Sequence, residues 1–202
     1  MATEIELKLS IINAHNSDVL EQLKQCLNAL DQKHYFEKHH LSNVYFDTCE
    51  LQLNTHKIAL RIRKKGAQYI QTLKTKGQSV NGLSTRGEWE WDLPNKALNL
   101  AYLENCDAWP KSIAVSELHE VFETNFTRHQ LEINWQNAQI ELAYDQGDIL
   151  AYGKRESINE LELELKSGDG EALHLLCGYL QNFLDLSPSD ISKAERGYRL
   201  GK

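Results

Sequence analysis

The first segment of the chain, residues 4–9, alternates charged and apolar side chains. Because successive side chains of an extended strand point to opposite faces, Glu4, Glu6 and Lys8 share one face, while the apolar residues share the other. The same alternation returns along the chain and predicts about eight strands, nearly all with one charged and one apolar face. The further predicted strands are residues 34–47, 59–63, 69–76, 85–92, 126–135, 139–145 and 160–166.

Helical periodicity marks fewer segments. Apolar residues three or four apart predict one helix over residues 16–30, with capping side chains at its start, and another over residues 171–184. Short helices are predicted near residues 49–54 and at two places within residues 96–124. Without a linker or an internal repeat, the simplest organisation is a single domain over residues 1–202.

A final helical turn is predicted after Pro188. Asp190 or Ser192 would cap it, and it carries Lys193 and Arg196.

Charge and composition exclude some classes of function. The chain has 202 residues, 41% hydrophobic and 25% charged, with a net charge of −7, so it carries no overall basic footprint for duplex nucleic acid. An acidic protein can still bind polyanions where metal ions and local bases reverse the field. The four dispersed cysteines, the absence of a signal sequence and the lack of a long apolar run predict a cytoplasmic protein that does not enter a membrane.

Two architectures could accommodate the charged faces. An open sheet or sandwich would expose them to solvent, whereas a closed barrel with helices outside would enclose them. Carboxylates concentrate in the first and the last two predicted strands, and bases concentrate in the hairpin of Arg61, Arg63 and Lys74. Enclosed, this sorting would give a cavity with one acidic and one basic wall. The pattern alone leaves both architectures open.

The pairing of Glu4 with Glu6 suggests chemistry. Two carboxylates one pleat apart can chelate a hard divalent cation, and the ammonium of Lys8 suits an anion touching the same cation. The alternative is the charged outer face of an ordinary amphipathic strand. Residues 77–84 have the glycine spacing of a phosphate loop, but Leu83 stands where lysine is required.

At the level of motifs, the chain resembles the CYTH superfamily, the triphosphate tunnel metalloenzymes. The motifs occur in order over nearly the whole chain: Glu4-x-Glu6-x-Lys8, Tyr45-Phe46-Asp47-Thr48, Leu60-Arg61-x-Arg63, Thr72-Leu73-Lys74, Arg86-x-Glu88-x-Glu90, the run from Glu160 to Glu164, and Lys193-x-x-Arg196-Gly197. They are most similar to those of the bacterial inorganic triphosphatases. Some of these proteins carry a C-terminal CHAD domain; the sequence ends at Lys202 without one, which leaves a stand-alone catalytic domain or a removed domain as alternatives.

The resemblance implies an α+β fold, a closed antiparallel barrel of about eight strands with a charged interior tunnel and helices outside. It also implies roles for individual residues. Glu4, Glu6 and Lys8 would be catalytic. The implied ligands of Mg²⁺ or Mn²⁺ are Glu4, Glu6, Asp145, Glu160, Glu162 and Glu164, with Glu162 and Glu164 favoured on the last strand. The implied phosphate-binding residues are Lys8, Arg61, Arg63, Lys74, Arg86, Arg128, Lys193 and Arg196. For Arg86 with Glu88 and for Lys166 with Glu164, ion pairing within the barrel wall is the alternative.

The activity expected from the resemblance is metal-dependent hydrolysis of inorganic tripolyphosphate to diphosphate and orthophosphate. The expected partner is this small molecule, with neither nucleic acid nor membrane involved. A class IV adenylyl cyclase, a thiamine triphosphatase and a non-catalytic polyphosphate-binding module are the alternatives. The sequence leaves open the physiological triphosphate, the choice between the two metals and the oligomeric state.

Overall fold

A computed structural model describes residues 2–12, 16–28 and 35–201. Within these residues the chain forms ten strands and five helices. The strands are β1 (Ala2–Ile11), β2 (Glu37–Asp47), β3 (Ala59–Lys65), β4 (Gln68–Lys74), β5 (Gln78–Val80), β6 (Leu83–Leu93), β7 (His119–Trp135), β8 (Ala138–Ala151), β9 (Lys154–Ser167) and β10 (Leu186–Pro188). The helices are α1 (Asn16–Asn28), α2 (Gln52–Thr55), α3 (Leu100–Glu104), α4 (Glu171–Leu180) and α5 (Lys193–Leu200).

Eight of the strands close into an antiparallel barrel. Their order is β1-β9-β8-β7-β2-β3-β4-β6, and β6 pairs with β1 to complete the ring. The short strands β5 and β10 add to β6 and β1. The predicted closed barrel with helices outside is confirmed, and the open sheet is excluded.

The helices cover the apolar outer face of the barrel. Leu7 and Leu9 of β1 pack outward in one cluster with residues of α1 and α4, such as Leu23 and Leu176. A second cluster lies under α2 and α3, and a third places α5 against β7, β8 and β9. Because the apolar face of each strand is used in these contacts, the alternate charged face must point into the barrel. No helix of the described residues is long and apolar enough to cross a membrane.

Several element boundaries differ from the prediction. The strands of the second half are longer than predicted: β7 has 17 residues and begins at His119 rather than Phe126, and β8 and β9 have 14 residues each. Tertiary pairing extends them beyond the stretch in which the alternation is clear. Residues 77–84, which have the glycine spacing of a phosphate loop, contain β5, and the second predicted short helix of the middle region is a single 3-10 turn at Val115–Glu117.

The predicted ends of α1 and β2 fall partly outside the described residues. Leu30 and His34 lie there, as do the side chains of residues 16–18, which were predicted to cap the helix. Helix α4 ends at Leu180, before the predicted end at Leu184. At the start of α5, Ser192 is the observed cap, and its hydroxyl accepts a hydrogen bond from the backbone N–H of Glu195 at 3.1 Å.

Candidate active site

The interior of the barrel holds a cavity of about 270 Å³ lined mainly by charged side chains. Most of the predicted site residues lie on its wall. These are Glu4, Glu6, Lys8, Arg61, Arg63, Lys74, Arg86, Arg128, Glu162, Glu164 and Lys193. Of the other predicted residues, Asp145 and Glu160 lie behind this wall and contact Lys193. Arg196 contacts Glu156 and Glu160 and does not line the cavity.

Strand register places the charged residues opposite one another. On β1 and β9, Glu6 faces Glu164 and Lys8 faces Glu162. On β1 and β6, Glu4 faces Arg86. Glu4, Glu6 and Lys8 are each exposed by 6% or less, so their charges interact with little screening by water.

Glu4 is held by two bases. Lys74 Nζ donates to Glu4 Oε1 at 2.5 Å, and Arg86 Nε donates to Glu4 Oε2 at 2.6 Å. Burial alone would raise the pKa of Glu4, but Lys74 and Arg86 together lower it to about 2. The sequence suggested an ion pair between Arg86 and Glu88. In the structure Arg86 pairs with Glu4 instead, and Glu88 pairs with Lys74 at 3.1 Å.

Glu6 has a different environment from that of Glu4. Burial raises its pKa, and the neighbouring carboxylates of Glu162 and Glu4 raise it further. Its ion-pair contact is with Lys8 Nζ, at 3.7 Å. A buried carboxylate that is crowded by other carboxylates is a good ligand for a hard cation, which would remove the repulsion.

Three carboxylates of β8 and β9 form an acidic cluster around Lys193. Oxygen atoms of Asp145, Glu160 and Glu162 lie within 4.8 Å of one another, a separation that a metal ion could bridge. The ammonium of Lys193 contacts all three carboxylates. Burial would lower the pKa of Lys193, but these carboxylates raise it well above its ordinary value, so the side chain is charged.

Opposite the carboxylates, Arg61 and Arg63 of β3 form a basic wall. Arg63 Nε donates to Asn43 Oδ1 at 2.8 Å, and burial and the charges of Arg61 and Arg128 lower its pKa to about 9. Arg61 Nε has no hydrogen-bond partner in the described part of the chain. Burial alone would lower the pKa of Arg61 and Tyr45, Glu88 and Glu90 raise it, but among the described residues no carboxylate lies within ion-pair distance of Arg61 or Arg63.

The two walls are less sharply segregated than the sequence predicted. Lys8, Arg128 and Lys193 bring positive charge into the acidic wall. The alternative proposed for Lys166 is confirmed, since its Nζ lies 2.8 Å from Glu164. Glu141 of β8 also lines the cavity, opposite Glu164 of β9, but it is absent from the predicted set. It could have been found from the sequence, because it lies on the same strand face as Asp145.

Comparison with known proteins identifies the family. A profile of the CYTH domain matches residues 2–198. The chain belongs to the CYTH family. Among proteins of known activity, it is 35% identical over 202 residues to the inorganic triphosphatase of Haemophilus influenzae. The match covers all of this chain and 56% of the Haemophilus protein, so the chain spans little more than half the length of that relative.

Solved structures support the CYTH fold. A protein from Hippeastrum, described as a putative adenylyl cyclase with a dominant triphosphatase activity, aligns with a TM-score of 0.68 and 24% identity, covering 98% of this chain and 96% of the other. The PH1819 protein of Pyrococcus horikoshii aligns with a TM-score of 0.60 and 20% identity, covering 98% of each chain. At these identities the likeness shows a shared fold.

Proposed function

We propose that this CYTH chain hydrolyses inorganic tripolyphosphate to diphosphate and orthophosphate, with Mg²⁺ or Mn²⁺ as cofactor. The observation that carries the proposal is the composition of one buried cavity. In the described part of the chain, no carboxylate lies within ion-pair distance of the guanidinium groups of Arg61 and Arg63, and the same cavity contains a carboxylate whose pKa is raised, Glu6. The two guanidinium groups favour binding of an anion, and the carboxylate of Glu6 favours binding of a cation. A metal-bound polyphosphate supplies both.

The residues of the acidic wall suit a hard divalent cation. The donors are all carboxylate oxygens, which Mg²⁺ and Mn²⁺ prefer over nitrogen or sulfur. Glu6, its neighbour Glu4 on the same strand face and Glu164 opposite it on β9 would hold the ion. When bound, such a cation would neutralise phosphate charge and lower the pKa of a coordinated water. A bound ion would share Glu4 with Lys74 and Arg86, and Glu164 with Lys166. The remaining predicted ligands, Asp145, Glu160 and Glu162, surround the ammonium of Lys193.

The basic residues of the chain would bind and orient the phosphate groups. A guanidinium presents two parallel N–H groups that match two phosphate oxygens, so Arg61 and Arg63 can each fix one phosphoryl group. Lys8 would add a point charge from the opposite wall, and Lys74 and Arg86 could share their hydrogen bonds between Glu4 and the ligand. Phosphoryl transfer depends mainly on such positioning and on neutralising charge over the transferred group.

The comparisons agree with this activity, because the Haemophilus relative is an inorganic triphosphatase. A cytoplasmic location is part of the proposal. The four cysteines are free thiols, which suits a reducing compartment.

Phosphorus NMR tests the proposal directly. Purified protein is incubated with tripolyphosphate, ATP or thiamine triphosphate, each with Mg²⁺, with Mn²⁺ or with EDTA. We expect tripolyphosphate to give equal amounts of diphosphate and orthophosphate, and EDTA to stop the reaction. Cyclic AMP and diphosphate from ATP, with tripolyphosphate intact, would establish a cyclase instead. Tight binding of tripolyphosphate without turnover of any substrate would establish a binding module.

A further inference from the structure

The acidic cluster formed by Asp145, Glu160 and Glu162 has the composition of a metal site, but the chain supplies its own cation there. We propose that the ammonium of Lys193 takes the place of a metal ion in this cluster, so that the CYTH chain binds divalent cations only on the Glu4 and Glu6 side of the tunnel. The inference refines the proposed function by fixing which carboxylates remain for a metal.

The contacts of Lys193 support this assignment. Its Nζ lies 2.7 Å from Asp145 Oδ2 and 2.8 Å from Glu162 Oε1, and it also contacts Glu160 Oε1. The ammonium donates a hydrogen bond to Glu162 Oε1, and its contacts with Asp145 and Glu160 are ion pairs, with Glu160 Oε1 lacking a hydrogen-bond partner among the described residues. The side chain of Lys193 is 7% exposed and that of Asp145 is fully buried, so water competes little for these contacts.

Two arginines occupy the other oxygens of the acidic cluster. Arg128 donates to both oxygens of Asp145 at 2.7 Å and to Glu162 Oε2 at 2.5 Å. Arg196 donates from Nη1 to Glu160 Oε2 at 3.1 Å. Lys193, Arg128 and Arg196 thus all contact carboxylates of the acidic cluster. Lys8 Nζ also lies 3.9 Å from Glu162 Oε1, and Arg196 is shared with Glu156. A divalent ion placed among them would add two positive charges beside these buried cations, which is unfavourable unless Lys193 leaves.

The fold holds Lys193 in this position. Lys193 is the first residue of α5, and the side chain of Ser192 caps the start of this helix. Further along the helix, the hydroxyl of Tyr198 donates to the buried carboxylate of Asp47 at 2.9 Å. Gly197 lies so close to the ring of Phe122 that a Cβ at this position would be 2.3 Å from Cε2. These contacts fix the backbone position from which Lys193 reaches the acidic cluster.

Manganese binding to the protein without substrate tests the inference. The number of bound Mn²⁺ ions is measured by isothermal titration calorimetry and by the electron paramagnetic resonance signal of the free ion. In the wild-type background, Glu160→Gln is expected to leave the number of bound ions unchanged, whereas Glu6→Gln is expected to lose an ion. In Lys193→Met, the vacated acidic cluster is expected to bind one additional ion. Adding Asp145→Asn to Lys193→Met should abolish that gain.

The loss of a bound ion in Glu160→Gln would overturn the inference, as would the absence of any gain in a folded Lys193→Met variant. If Lys193→Met does not fold, Glu160→Gln alone still decides the question. Lys24→Met is the matched control, because Lys24 forms an exposed ion pair with Glu21 at 3.1 Å on α1, which packs against the outer face of the barrel. This variant should bind as many ions as the wild type. None of these measurements uses turnover, so a failure of the hydrolase proposal would not be mistaken for a failure here.

Discussion

Arg63 and Arg128 both line the tunnel, yet their replacement should affect stability in different ways. We consider Arg63→Met and Arg128→Met, which remove the charge and keep much of the side-chain volume. Arg128 is bonded to Asp145 and Glu162, so its loss removes three hydrogen bonds from two buried carboxylates, which keep contacts with Lys193 and Lys8. Arg63 bonds only to the neutral Asn43 among the contacts described above, and it is repelled by Arg61 and Arg128.

The magnitudes follow from these contacts. Removing one partner of a buried ion pair typically costs about 3–5 kcal/mol, and this is the loss of unfolding free energy expected for Arg128→Met. For Arg63→Met, the acceptor of Asn43 loses its donor, at a cost of about 1–3 kcal/mol. The lowered pKa of Arg63, about 9, shows that its charge is unfavourable in the folded protein. Removing that charge relieves the repulsion. Each pKa unit by which the charged form is disfavoured corresponds to about 1.4 kcal/mol of unfavourable interaction. The two effects oppose each other, so Arg63→Met should lose less than about 2 kcal/mol.

Both variants should lose activity. Each arginine would donate charge-assisted hydrogen bonds worth about 1.5–3 kcal/mol to the phosphate chain, which corresponds to about a tenfold to hundredfold loss of kcat/KM toward tripolyphosphate. Urea unfolding in EDTA, followed by circular dichroism, gives the stabilities, and phosphate release gives the activities. Equal destabilisation of the two variants, or greater destabilisation by Arg63→Met, would refute the reasoning that the basic wall is reserved for a ligand.

Three further predictions concern other parts of the molecule. Glu6→Gln should abolish turnover. Without metal, the variant protein should melt at the same or a higher temperature than the wild type, because a neutral amide replaces a buried carboxylate repelled by Glu162. Normal turnover at saturating Mg²⁺ would show that Glu6 is not part of the site. Asp47→Ala should cost about 3 kcal/mol or more in urea unfolding, because three backbone N–H groups and the hydroxyl of Tyr198 lose their acceptor. Asp148→Ala, at an exposed ion pair with Arg155, is the control and should show no measurable loss. Tripolyphosphate with Mg²⁺ at 100 times Kd should stabilise the fold by about 2.7 kcal/mol, or about 5–10 °C in Tm, and an unchanged Tm would contradict an interior polyanion site.

The sequence predicted the strands and their two faces because strand parity is a local property. On β1, the alternation of Glu4, Glu6 and Lys8 with apolar residues requires only two neighbouring residues to establish which side chains share a face. The sorting of charge between strands left the open sheet and the closed barrel as alternatives, and the motif resemblance to the CYTH superfamily implied the barrel. The helices were found in the same way from their apolar stripes, since α1 and α4 bury one face against the barrel.

The pairing of charges could not be predicted from local pattern. The partner of Glu4 is Lys74, which is 70 residues away and reaches it only because β6 closes the barrel onto β1. For the same reason the sequence suggested Glu88 as the partner of Arg86, since the two share a strand face, whereas closure offers Arg86 the carboxylate of Glu4. Parity fixes the face of a strand on which a charge lies, and the register between distant strands fixes what it contacts.

The most informative case is Lys193. In sequence it is a lysine on a predicted final helical turn, and the motif resemblance implied that it binds phosphate. In the fold its ammonium lies among three carboxylates, and α5 is anchored to the barrel through Tyr198 and Asp47. Burying so many ions is expensive, and well-packed apolar residues would often be at least as stable. The charges of the acidic cluster are paired with one another, whereas in the described residues no carboxylate lies within ion-pair distance of Arg61 or Arg63. We therefore expect the paired charges of the cluster to hold the terminal helix, and the basic wall to bind a polyanion.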